Sequence, residues 1–60
     1  MATNEAVIRA ILLVLSELVK DEGIKQELKF MAVADECPER MESARKVGNY
    51  VINGGTFEVE

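Results

Sequence analysis

Between Ala6 and Val19 two lines of apolar side chains run side by side along one helical period and leave almost no polar side. Val7, Ile11, Val14 and Leu18 recur at helical spacing, Ile8, Leu12, Leu15 and Val19 repeat it one residue later, and Leu13 widens the stripe. Only Glu5, Arg9, Ser16 and Lys20 form a narrow polar side. A helix apolar round most of its circumference has to be covered on most sides, and the rest of a 60-residue chain offers only short elements to do it. The pattern predicts a homo-oligomer, most simply a dimer with this helix at its centre. Ile8, Ile11, Leu12, Leu15 and Val19 are the expected oligomer interface.

Chain length points the same way. A globular chain of this size buries only roughly 60% of the surface its unfolded form exposes, so a single core seldom supplies more than ~3–5 kcal/mol. The one cysteine cannot close an intramolecular disulfide, and without histidine the usual Cys/His zinc staple is excluded. Association is the staple that remains. With 48% hydrophobic and 30% charged residues, and no repeat or low-complexity tract, the composition is that of one small folded domain over residues 1–60 rather than a disordered chain.

Local signals divide the chain into three helices, expected at about 4–22, 24–35 and 38–48. Thr3 or Asn4 can cap the first, with Glu5 favourably placed in its first turn. Gly23 follows Lys20, Asp21 and Glu22 as a left-handed C-terminal cap would. Ile24, Leu28, Met31 and Ala32 share one face of the second helix, and the apolar run from Phe30 to Ala34 marks its end as buried. Pro38 suits the first position of the third helix, for which Met41, Ala44 and Val47 read as the inward face and Gly48-Asn49 as the cap. Beyond it, Asn53-Gly54-Gly55 sits between the strand-like flanks Tyr50-Val51-Ile52 and Thr56 to Glu60. Asn-Gly supplies the positive backbone angles of a tight turn, so a C-terminal β-hairpin over about 49–60 is expected. The fold expected is therefore α+β and mainly α. The alternative is an all-α chain in which the third helix continues to Asn53 and an extended tail follows.

Little in the chain suits catalysis or cofactor binding. No histidine can act as a base, Ser16 and Ser43 fall within helical patterns, and no glycine-rich phosphate loop occurs. Glu36, Glu39 and Glu42 stand three apart, a spacing that can present oxygen ligands to a hard cation, but the interleaved Arg40, Arg45 and Lys46 make this a solvated helix face. Cys37 precedes the third helix, where a dipole can activate a thiol; Glu36 and Glu39 oppose that, and a packed, unreactive thiol is the expectation. No enzyme activity, metal or cofactor is expected.

The apolar run of the first helix is interrupted by Arg9, Ser16 and Glu17 and ends at Lys20, too short for a membrane span of ~20 residues. With no export signal and one unpaired thiol, a cytoplasmic location is expected. A helical unit followed by a hairpin resembles, in architecture alone, the winged-helix DNA-binding domains. That resemblance implies that the third helix enters the major groove and the hairpin touches backbone. The charges fit this poorly. The basic residues of the third helix are offset by Glu39 and Glu42, no basic residue follows Lys46, and the net charge is -4. The reading is therefore a small acidic homo-oligomeric interaction protein that binds and modulates another protein, inhibition being one form this can take. Tyr50, Phe57 and Glu58 are its expected contact residues, since aromatics are enriched at interfaces.

Overall fold

The computed structural model describes residues 3–58, and these form three α-helices in the order α1 (Asn4–Leu18), α2 (Glu22–Val33) and α3 (Pro38–Ile52). Each helix starts where a local cap dictates. Thr3 in extended conformation accepts a hydrogen bond from the Ala6 amide at 3.1 Å, and Asp21 accepts one from the Ile24 amide at 3.1 Å. Pro38 opens α3, preceded by Cys37 in extended backbone, as a residue before proline prefers. The Asp21 cap corrects the expected first boundary. Because Asp21 starts α2, α1 ends at Leu18 and Gly23 lies in the first turn of α2 instead of capping α1.

The expected C-terminal hairpin is not formed. No strand occurs among the described residues, and the chain is all-α with an extended tail. Instead α3 runs on to Ile52 and ends in a glycine cap: the Gly54 amide donates to the Val51 carbonyl at 3.1 Å, the Gly55 amide to the Tyr50 carbonyl at 2.8 Å, and Gly54 has φ +86°. This is the paired-bond motif that satisfies the last carbonyls of a helix. It needs the same left-handed residue as a hairpin turn, so the Asn53-Gly54-Gly55 signal was real but served a helix end. Val59 and Glu60, which close the expected second strand, lie outside the described residues.

The tail then folds back. The Tyr50 hydroxyl donates to the Thr56 carbonyl at 2.6 Å and accepts from the Thr56 amide at 3.1 Å, and the Tyr50 and Phe57 rings meet edge to face at 5.9 Å. The Glu58 amide reaches the Leu18 carbonyl at 2.6 Å, so the tail joins the end of α3 to the end of α1. Gly54→Val and Gly55→Ala are both expected to destabilise this closure. The first forces a β-branched residue into positive φ, and the second places a Cβ against the Tyr50 ring and carbonyl. Thermal melts should fall for both, and a Gly55→Ala melt matching the parent would refute the close approach.

α2 lies in the middle. α1 and α3 each pack on it, and among the described residues they make no backbone contact with each other. The buried core is small: Val19, Leu28, Met31 and Ala32, with Leu12, Leu15, Ile24, Val47, Tyr50 and Phe57 half-buried around it. On α3 the inward residues are Ser43, Val47 and Tyr50, whereas Met41 and Ala44, expected inside, face solvent. Extending α3 by a turn lets Tyr50 and the returning tail fill the space, and the helix rotates accordingly. No described helix is long and apolar enough to cross a membrane.

Candidate interaction surface

The two apolar lines of α1 part company in the structure. At 100° per residue, Val7, Ile11, Val14 and Leu18 fall within about 60° of arc, and Glu5, Arg9 and Ser16 within about 40° on the opposite side. The polar line faces the rest of the chain. Ser16 is 1% exposed with its hydroxyl donating to the Leu13 carbonyl at 2.6 Å, and Arg9 donates to the Ala32 carbonyl at the end of α2 at 2.9 Å. The apolar line faces out: Val7, Ile11 and Val14 are 46%, 52% and 56% exposed. The inward side of α1 thus combines this polar edge with Leu12, Leu15 and Val19, and the other apolar line is left to solvent.

The expected interface residues therefore separate into two sets. Ile8 and Ile11 lie on the exposed side, Leu12 and Leu15 are half-buried against the monomer's own core, and Val19 is inside it. The exposed side is also without charge, because Arg9, the one charged residue between Glu5 and Glu17, is drawn towards α2 and pairs with Glu5 at 3.2 Å.

The polar edge of α1 meets the C-terminal end of α2, which has no basic residue in its own last turn. Two arginines from neighbouring helices supply the positive charge that a helix C-terminus favours. Arg9 from α1 bonds the Ala32 carbonyl, and Arg40 from α3 bonds the Met31 carbonyl through Nε at 3.1 Å. Arg40 Nη2 also meets Glu5 at 3.0 Å, so Glu5 bridges both arginines. The sequence places Arg9 on a narrow polar side and Arg40 on a solvated face, and it carries no signal for these roles, since none of the three helices has a basic residue in its last turn.

α3 also exposes apolar side chains at its two ends, Met41 near the start at 72% and Val51 and Ile52 at the finish at 50% and 82%. Its other exposed cations are engaged locally, Arg45 with Glu42 at 3.3 Å and Lys46 with Glu27 at 3.5 Å. The Glu27 carboxyl is held below its usual range, chiefly by a hydrogen bond from Ser43 and further by Lys46, with partial desolvation opposing them. Open grooves beside this pair, one containing Phe30, Glu39 and Glu42 and the other Asn49 and Tyr50, are too shallow to enclose a small molecule. Among the described residues no three His, Cys, Asp or Glu side chains converge as metal ligands. Cys37 is half-buried and makes no side-chain cap bond.

The expected partner-contact residues serve the tail closure. Tyr50 and Phe57 are half-buried against each other and the core, and Glu58 pairs with Lys20 at 2.8 Å. No family model, curated protein or solved structure matches this chain.

Proposed function

We propose that this chain is a small acidic homo-oligomeric interaction protein that binds and modulates another protein, with no catalytic role of its own. One observation carries the reading: both flanking helices turn apolar side chains to solvent, Val7, Ile11 and Val14 on α1 and Met41, Val51 and Ile52 on α3, in a chain with few buried hydrophobics. Contiguous exposed apolar surface marks interaction sites. The accessible surface, 4513 Å² for a 6.7 kDa chain, exceeds the ~3,900 Å² that size scaling gives a compact monomer. In this reading α1 serves self-association, and the exposed apolar residues of α3, Met41 and Ile52 among them, meet the second protein.

Protein binding is favoured over the DNA-binding alternative by the α3 cations. Arg40 is directed at α2 and Glu5, while Arg45 and Lys46 are paired with carboxylates, and the wing of the winged-helix comparison is replaced by the helical cap of α3. Light scattering at micromolar concentration should return at least twice the 6.7 kDa monomer mass. Capture from an extract of the source cells should be lost on Met41→Lys with Ile52→Lys while helicity and mass persist. A folded, monodisperse monomer that captures nothing would end the proposal.

A further inference from the structure

We propose that a second copy of this chain seats on the outer face of α1 with the two α1 helices antiparallel, Val7 meeting the partner copy's Leu18 and Ile11 its Val14. This rests on the homo-oligomer reading above and specifies its geometry. The stripe steps by four, three and four residues. That alternation is the a/d spacing with which two helices interlock side chains, and it reads the same in both directions, so a two-fold axis between Leu12 and Leu13 pairs each of the four stripe residues with another. An isologous contact of this kind closes on itself and leaves no unmatched end.

Charge selects the second copy and its direction. Two chains of net charge -4 repel, and they approach most easily through a face without charge; the exposed side of α1 between Glu5 and Glu17 is such a face. In a parallel pair, exposed Glu17 stands beside its own copy at the negative ends of two dipoles. In the antiparallel pair that carboxylate approaches the amide end of the partner's α1, where negative charge is favoured. At the helix start Glu5 is paired with Arg9 and Arg40, which offsets the one acid that opposes this approach.

The test is disulfide trapping in the full chain with Cys37→Ser, mixing Val7→Cys and Leu18→Cys variants in equal amounts under mild oxidation and reading the products by intact mass. The antiparallel dimer yields the mixed Val7–Leu18 product. A parallel dimer yields only like-with-like products, because eleven residues of helix, ~16 Å, then separate the unlike thiols and a disulfide spans at most ~7 Å between Cα atoms. Should Leu18→Cys lose helicity, the exposed Glu17→Cys replaces it. Val14→Glu should halve the mass of the wild-type dimer. Like-with-like products overturn the orientation, and a dimer that neither cross-links at these positions nor dissociates on Val14→Glu overturns the α1 seat; both leave self-association standing. A wild-type monomer overturns this inference together with the reading it rests on.

Discussion

Leu28→Ala should abolish cooperative folding. Leu28 is fully buried at the centre of α2, against Val19 and Met31, and it is the largest of the fully buried side chains. Truncating a buried leucine costs about 2–5 kcal/mol, the lost transfer free energy plus the cavity left behind. A core in a chain of this length supplies only ~3–5 kcal/mol, so the loss takes most or all of the margin. Circular dichroism of the variant should show reduced helicity and no sigmoidal melt. Val33→Ala is the control: Val33 is 72% exposed on the same helix, and its truncation should shift stability by no more than about 0.5 kcal/mol. A Leu28→Ala melt within a few degrees of the parent would show that the helices are held mainly by something other than this core.

Arg40→Met is the second large effect expected, and Arg40→Lys should fail to rescue it. The Arg40 side chain is 15% exposed and touches all three helices: it leaves α3, bonds the Met31 carbonyl of α2 through Nε and reaches Glu5 of α1 through Nη2. Hydrogen bonds involving a charged group contribute about 1.5–3 kcal/mol when made. Glu5 is half exposed, so its share is screened by solvent, and the carbonyl bond should account for most of the loss. Lysine carries a point charge without the fork that lets one side chain serve two acceptors in different directions. Urea denaturation at fixed protein concentration is the measurement, since association contributes to apparent stability. If Arg40→Lys unfolds at the parent's midpoint, the capping of α2 by its neighbours is not a structural determinant.

Local chemistry in the sequence determined the beginnings of all three helices, through Thr3, Asp21 and Pro38, because a cap acts over three or four residues and needs no tertiary partner. It also marked the requirement for positive φ near Gly54. Whether that angle closed a hairpin or a helix was decided by packing: one more turn of α3 carries Val47 and Tyr50 to the core, where Tyr50 holds Thr56 and Phe57. The same holds for α1. Its two apolar lines are equivalent in the sequence, and nothing local says which is turned inward. In the structure Leu12, Leu15 and Val19 pack on the core and Arg9 bonds the Ala32 carbonyl at the end of α2, while Val7, Ile11 and Val14 are turned to solvent. Such contacts exist only once the helices meet, because the groups they join are distant along the chain, 23 residues for Arg9 and Ala32.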